Sequence, residues 1–452
     1  MKFAARCSLL AASSSLLAAI CLLFSTSSLL FAQPPLVSLY VSGRHLMTPC
    51  GDTVVLRGVN KMSVWTNDLT VRRDAFAEIK KTGANCTRIV WLVEPGQFEV
   101  DAGPDGLDRA IQACIDADMI PMPELHDATG DWSKLQMTVD YWKRADVVAV
   151  VKKHEKYLLV NIANEVGNET VTNQQFIDGY TSAITQLRQA GIHTPLVIDA
   201  SDWGKNLEQL VTCGPTLIQA DPDHNLLFSV HTYWAVSDGA DQAFIAYQFQ
   251  MAVNSNLPFI VGEFTHLFNR GQTCDYVTDY ASIISECQSK GIGWLAWEWG
   301  PGNEYADPTC AVMNMTTDSY YNTLQNTWAS VVAISSPNSI KQTSVTPEYI
   351  LRGGECAPVD VEEQNIASSN GVKVYPNPAH TSSQVSIEFS LTEPSLVQAD
   401  VFDVTGRCIQ HITTTTMDAG SHKLTFTPTQ TGIVYVVLKS NKSIFTSLHL
   451  TI

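Results

Sequence analysis

Two glutamates carry the chemistry that can be read from this chain. Glu165 ends the apolar run Leu158–Glu165 (LLVNIANE), and Glu263 ends Pro258–Glu263 (PFIVGE). Short apolar runs of this kind read as buried parallel strands, which places each carboxylate where its strand leaves the core. Two carboxylates across one opening suit cleavage of a glycosidic bond. One protonates the leaving oxygen, and the other attacks the anomeric carbon or activates water. Acidic residues also end strands for structural reasons, such as capping a helix, so neither glutamate decides the matter by itself.

The pair needs unequal surroundings. The acid must keep its proton near neutral pH, through burial or a nearby negative charge, while the nucleophile must stay ionised beside a cation. Arg88 is the candidate cation and Tyr233 a candidate hydrogen-bond donor. Asn164 is a candidate for holding a sugar 2-hydroxyl. His126, Asp127 and His231 stand at other strand ends as polar candidates. Trp297 offers a flat apolar face for a pyranose ring. Trp91, Trp132, Trp203, Trp234 and Trp299 are candidates for extending that platform, although each reads equally well as a core residue.

Eight strand-like runs must position these groups: Val54–Val59, Cys86–Leu92, Ile120–His126, Leu158–Glu165, Pro195–Ala200, Leu226–Tyr233, Pro258–Phe264 and Gly291–Trp299. Helix-like segments lie between them: Arg72–Lys81, Gly106–Asp118, Val139–His154, Asn173–Ala190, Asn206–Val211, Asp241–Asn254 and Tyr276–Lys290. Several of these stop at glycine, as at Gly83, Gly191 and Gly291. This alternation predicts a (β/α)8 barrel with its site at the C-terminal face of the strands. An open doubly wound sheet is the other fold it allows. No GxGxxG or Walker loop follows the first strand, which removes the main support for a nucleotide-binding version.

The chain has 452 residues, too many for one ordinary domain. Its 45 acidic against 28 basic residues give a net charge of −17. That disfavours nucleic-acid or anionic-membrane partners and is compatible with a neutral polymer such as a polysaccharide. Residues 1–32 read as a signal peptide, with Lys2 and Arg6 before a Leu/Ala/Ser-rich stretch; a membrane anchor is the alternative. Eleven cysteines include Cys7 and Cys21 in that leader. The rest show no CxxC or zinc spacing, and in an exported chain some are expected to pair. Cys50 with Cys356 and Cys274 with Cys310 are among the possible pairings; sequence leaves the connectivity open. From Asn338 to Gly371 the pattern dissolves into Ser, Thr, Glu, Pro and Gly. Beyond Val372, short alternating runs such as QVSIEFSL and GIVYVVLKS predict a small all-β, immunoglobulin-like sandwich. The expected domains are therefore a barrel over 33–337, an extension and linker over 338–371, and a sandwich over 372–452.

The motifs Glu124–Gly130 (ELHDATG), Val160–Glu165 (VNIANE), Ser229–Trp234 (SVHTYW), Ile260–Phe264 (IVGEF) and Gly293–Asn303 (GWLAWEWGPGN) resemble glycoside hydrolase family 5. Within that family they look like its bacterial endo-β-1,4-mannanase branch. The resemblance implies a TIM barrel and a retaining mechanism, with Glu165 as acid/base and Glu263 as nucleophile. It also implies support roles for Arg88, Asn164, His231, Tyr233 and Trp297. No cofactor or metal is needed for that chemistry. Retention predicts carboxylates about 5–5.5 Å apart. The chain departs from the branch at Val166 (usually Trp), Trp234 (usually Glu) and Thr265 (usually Gly). These departures leave mannan, glucan and glucomannan all open as substrates. A carbohydrate-binding surface protein on an inactive barrel is the non-enzyme alternative; the presence of both glutamates speaks against it.

The C-terminal motifs Val374–Pro378 (VYPNP), Asp403–Arg407 (DVTGR) and Gly432–Leu438 (GIVYVVL) resemble the sorting domain of the type IX secretion system. That implies the type IX machinery as a partner, passage through the periplasm, and a secreted or cell-surface product whose tail is removed. A carbohydrate-binding or fibronectin-like module is the alternative. Its aromatics Tyr375, Phe389, Phe402, Phe426 and Tyr435 mostly alternate as core residues do.

Overall fold

The computed structural model describes residues 38–451, apart from 65–74, 94–102, 357–371, 404–407, 441–442 and positions 272, 306, 326, 382 and 430. The leader expected over 1–32 and most of the DVTGR motif lie outside the described residues. The chain divides into two compact units, Met1–Glu355 and Cys356–Ile452.

In the first unit eight parallel strands close into a barrel in sequential order. They are β1 (Arg57–Lys61), β2 (Cys86–Trp91), β3 (Ile120–Leu125), β4 (Val160–Asn161), β5 (Leu196–Asp199), β6 (Leu226–His231), β7 (Phe259–Glu263) and β8 (Gly293–Ala296). Each lies within or across one of the eight apolar runs. The helices are α1 (Ala75–Lys80), α2 (Pro104–Asp116), α3 (Leu135–Trp142), α4 (Ala145–Lys153), α5 (Asn173–Gln189), α6 (Leu207–Ala220), α7 (Gln242–Asn254) and α8 (Tyr280–Lys290).

Strand alternation sorts the core into two shells. Ile89, Trp91, Val160, Ile198, Val230, Val261 and Trp294 join the helix residues Phe176, Leu187, Phe249 and Ile284 in one large cluster. The intervening positions form a separate cluster of Cys86, Met122, Leu159, Val197, Leu227 and Leu295. Leu39, Leu46 and Val54, from and beside the small antiparallel sheet near the N-terminus, close that cluster. Two residues further along four of the same strands come Arg88, Glu124, Asn161 and Asp199, all without exposed surface. The barrel interior is thus apolar at one level and charged at the next. A charged layer at that depth can persist only if its members pair with one another.

Three helical expectations are corrected. The segment Asn206–Val211 continues as α6 to Ala220, through Pro215. Proline there removes one backbone donor, but Leu210, Cys213 and Leu217 on the buried face hold the helix together. Val139–His154 is two helices, with Arg144 in an extended conformation before α4. Tyr276 belongs to a hairpin, Leu267–Asn269 with Cys274–Val277, rather than to α8. Asp279 caps α8 by accepting from Ser282 N–H, which fixes the helix start after the hairpin.

The extension after Asn338 is packed as far as Glu355. Asn85 Nδ2 donates to Val345 O at 2.8 Å, Arg57 Nε to Thr343 Oγ1 at 3.1 Å, and Tyr349 and Ile350 are buried. Among the described residues no helix is long and apolar enough to cross a membrane.

In the second unit, one antiparallel sheet joins Lys373–Tyr375, Val385–Leu391 and Gly420–Phe426. The other joins Cys408–Met417, Ser395–Asp403, Ile433–Ser440 and Ser443–Thr451. Alternate residues of both sheets share one apolar core, including Val385, Ile387, Val397, Ala399, Val434 and Val436. Phe389 and Phe426 belong to it, whereas Tyr375 and Tyr435 are exposed.

Candidate active site

Each site residue stands where the alternation of a strand, or the turn just beyond it, brings it to the barrel mouth. Arg88, from the middle of β2, is the hub. Its guanidinium donates to Glu263 Oε1 at 2.6 Å, Asn164 Oδ1 at 2.7 Å, Asn161 Oδ1 at 2.8 Å, Asp199 Oδ2 at 3.1 Å and Asn60 Oδ1 at 3.1 Å. Burial alone would weaken its charge, but the carboxylates of Glu124, Asp199 and Glu263 hold its pKa above the ordinary value.

Glu263 is held on both oxygens, Oε1 by Arg88 and Oε2 by the Tyr233 hydroxyl at 2.6 Å. Glu165 lies one residue beyond Asn164, with φ +47°, a left-handed conformation that a glutamate rarely adopts. Its neighbours pin it there. Its N–H donates to Asp199 Oδ2 at 3.2 Å, and its carbonyl accepts from Gly130 N–H at 2.8 Å. His231 Nδ1 lies 2.7 Å from Glu165 Oε1 and 3.5 Å from Glu263 Oε1. One oxygen of each glutamate is within 4.8 Å of the other. So close an approach is in keeping with the short carboxylate spacing of about 5–5.5 Å expected for retention.

The two environments differ as the chemistry requires. Burial, then the negative charges of Glu263 and Asp199, push Glu165 well above the usual carboxylate range. Burial also raises Glu263, but Arg88, His126 and the Tyr233 hydrogen bond pull it back, to about 7. Both carboxyls are raised, and Glu165, which lacks the direct Arg88 and Tyr233 contacts of Glu263, is the one that burial and neighbouring charge favour more in its protonated form. His231 is kept neutral by burial, with Arg88 and His126 adding to the effect. Burial works against charge on His126 too. There Glu124, 2.7 Å from its Nδ1, prevails and raises its pKa.

A cavity of about 720 Å³ opens above these groups, lined by Glu165, His126, Tyr233, Trp203 and Trp297. Trp297 stacks on His126 with ring centres 5.7 Å apart, and its Nε1–H donates to Asn303 Oδ1 at 2.8 Å. Trp203, also in a left-handed conformation, is 40% exposed at the rim. One wall is the hairpin carrying Phe268, Asn269 and Arg270. The disulfide Cys274–Cys310 ties that hairpin to the segment carrying Met313.

Of the residues expected to bind substrate, His126, Trp203 and Trp297 line this cavity and four do not. Trp299 has no exposed surface and donates to Ser319 O. Trp132 packs against Phe176 and Tyr180 of α5. Trp234 packs between Phe244 and Phe249 of α7 and donates to Lys205 O. Asp127 accepts from Val93 N–H at 2.7 Å, joining two loops. Trp91 is likewise wholly buried. In each case the side chain is spent on packing or on backbone. Sequence reasoning missed Asp199 and Glu124. Asp199 ends the apolar run of β5 just as the chosen residues end theirs, so the same signal was available.

Among the described residues, one group of His, Cys, Asp or Glu is close enough to hold a metal ion, and it is Glu165, His231 and Glu263 themselves. Arg88 already places a fixed cation against one of the three.

Residues 47–303, more than half the chain, match the model of the cellulase family, glycosyl hydrolase family 5. The chain belongs to this family. Its family-5 domain is 33% identical over 262 residues to a mannan endo-1,4-beta-mannosidase of Salipaludibacillus agaradhaerens, covering 58% of this chain and 80% of that protein. Another, from Cellvibrio japonicus, is 31% identical over 311 residues, covering 68% of this chain and 67% of that protein. The mannohexaose complex of Thermomonospora fusca beta-mannanase superposes with a TM-score of 0.60 at 28% identity, covering 69% of this chain and 99% of that one. This family-5 protein is a glycoside hydrolase on a TIM barrel. Residues 373–450 match the secretion system C-terminal sorting domain, which marks the hydrolase for secretion or export to the cell surface.

Proposed function

We propose that this hydrolase cuts the main chain of β-1,4-mannan by double displacement at Glu263 and Glu165. The observation that carries the mechanism is the buried, His231-bridged pair of carboxylates, of which only one faces Arg88. Glu263 attacks the anomeric carbon; the bond to the leaving oxygen breaks, and that oxygen takes the proton of Glu165. Glu165, now a carboxylate, takes a proton from water. The hydroxide attacks the anomeric carbon, the bond to Glu263 breaks, and both glutamates return to their starting states.

Arg88 and Tyr233 aim the nucleophile and oppose the burial that raises its pKa. Asn164, fixed by Arg88 and by Thr129 at 2.9 Å, is held ready for the sugar 2-hydroxyl. Trp297, stacked on His126, offers the apolar face for the ring, and Trp203 extends the platform towards the rim. The mannan preference is supported by the relatives, which are mannanases by name. The leader over 1–32 would route the chain through the periplasm, and the type IX machinery would carry it out and remove the tail.

The test is reducing-sugar release on β-mannan beside β-glucan, with Glu165→Gln and Glu263→Gln as controls. Strong release from mannan, lost in both variants, is expected. Release from glucan alone would keep the chemistry and discard the substrate. Full activity of Glu263→Gln would discard the nucleophile.

A further inference from the structure

Asp199 has no exposed surface, and the chemistry above does not use it. Its oxygens act only as acceptors. Oδ2 takes the N–H of Glu165 and Arg88 Nη2 at 3.1 Å, and Oδ1 takes Asn161 Nδ2 at 3.1 Å. Three donors, one of them the Arg88 cation, favour the ionised carboxylate and oppose the burial that raises its pKa. On its remaining side, His231 Nε2 lies 3.5 Å from Oδ2. That nitrogen is buried and has no hydrogen-bond partner among the described residues.

The neutral His231 ring has one hydrogen to place. On Nδ1, it would leave the Nε2 lone pair pointing at the Asp199 anion. On Nε2, it points towards that anion, and the Nδ1 lone pair meets Glu165 Oε1 at 2.7 Å. Glu263 Oε1, 3.5 Å from Nδ1, pulls the other way, but Arg88 and Tyr233 already engage its carboxylate. Only the second arrangement gives the acidic hydrogen of Glu165 an acceptor.

We propose that Asp199 is a positioning residue that fixes His231 as its Nε2–H tautomer, so that Nδ1 holds the acidic proton of Glu165 in place. This rests on Glu165 being the acid. Glu165 itself gives up the proton: its O–H bond breaks as the leaving oxygen takes the hydrogen, and the hydrogen bond to Nδ1 is released in the same step. The charge of Asp199 also opposes ionisation of Glu165, together with Glu263 and Glu124 and against Arg88. His126, Tyr233, Lys205 and Arg270 are the other titratable or charged side chains lining the cavity, and Tyr180 interacts with Asp199 from α5.

The experiment uses the full chain labelled with 15N-histidine. His231 is assigned by loss of its signals in His231→Gln. Wild type is expected to show a protonated Nε2 and an unprotonated Nδ1; the reverse pattern overturns the proposal without any Asp199 variant. Asp199→Asn is expected to lose that preference. It should also move the basic limb of the kcat/KM profile down by about one pH unit. Its loss of activity should be large on mannan and small on a dinitrophenyl glycoside, whose leaving group needs no proton. Glu165→Gln run alongside separates the two readings. If Glu165→Gln lacks this dependence on leaving group, the acid itself is misassigned. If it has the dependence while Asp199→Asn changes neither tautomer nor pH limb, Asp199 alone is discarded.

Discussion

Glu263→Gln should make the protein more stable while abolishing its activity, and the gain should appear only at higher pH. Glu263 is 3% exposed, and burial outweighs its partners enough to lift its pKa from 4.5 to about 7. The folded pKa lies above the unfolded one. The protonated side chain therefore fits the fold fully below pH 4.5, and stability is lost as pH rises through 7. Each pKa unit corresponds to about 1.4 kcal/mol, so ionising Glu263 costs about 3 kcal/mol of folding free energy. Glutamine copies the protonated carboxyl at every pH. For a barrel of about 300 residues, unfolding entropy near 2.1 cal/mol/K per residue converts 3 kcal/mol into about 5 °C of Tm. Removing Glu263 also eases the ionisation of Glu165, which adds to the difference with the same sign. The assay is calorimetry of wild type and variant at pH 4.5 and pH 8, following the barrel transition. The variant should match wild type at the lower pH and exceed it by about 5 °C at the higher. An equal difference at both values would refute the claim that the fold resists ionisation of Glu263.

Three other substitutions separate packing from binding. Trp297→Ala removes the face stacked on His126 and should raise KM for mannooligosaccharides about tenfold, an aromatic contact being worth about 0.5–1.5 kcal/mol beyond its buried area. Unchanged steady-state kinetics would remove Trp297 from the sugar site. Trp299→Ala should instead lower stability by about 3–5 kcal/mol, since it empties a wholly buried site and orphans the carbonyl of Ser319. Denaturant midpoints equal to wild type would contradict that burial. Gly130→Ala would set a methyl 2.4 Å from Trp203 Nε1 at a residue with φ +72°. Trp203 must then move, so KM should rise on long mannan chains and stay level on substrates too short to reach the rim.

The fold was legible because eight apolar runs alternating with seven helix-like stretches leave few other architectures. The mouth was legible for a related reason. Where an apolar strand run ends in Glu165, His231 or Glu263, the polar residue must lie at the edge of the core. That reasoning fails one layer down. Glu124 sits inside its strand, where an apolar-run reading treats it as an exception, and its partners Arg88 and His126 come from elsewhere in the chain order or from the following turn. It also fails for tryptophan. An indole can stack on a sugar or fill a core, and only the tertiary neighbours of Trp132, Trp234 and Trp299 separate these uses. The full length of α6 was not legible for a third reason: its buried face carries the helix through Pro215, where local propensity argues for a break.

The layering inside the barrel explains why such a site can exist at all. Glu124, Glu165, Asp199 and Glu263 are four buried acids, faced by the permanent charge of Arg88 and the imidazole of His126. Such a set cannot be fully ionised in a core. One proton must be retained, and the geometry decides where. Arg88 touches Glu263 and Asp199 directly and Glu124 more loosely at 3.7 Å, whereas Glu165 meets only the neutral His231. On the proposed assignment the proton belongs to Glu165, the acid without a direct Arg88 contact and the one whose left-handed backbone turns it into the cavity. The neighbouring charges of Glu263 and Asp199 then help to load the acid. An extra cation in this layer would stabilise the fold and, by letting Glu165 ionise, disarm the acid.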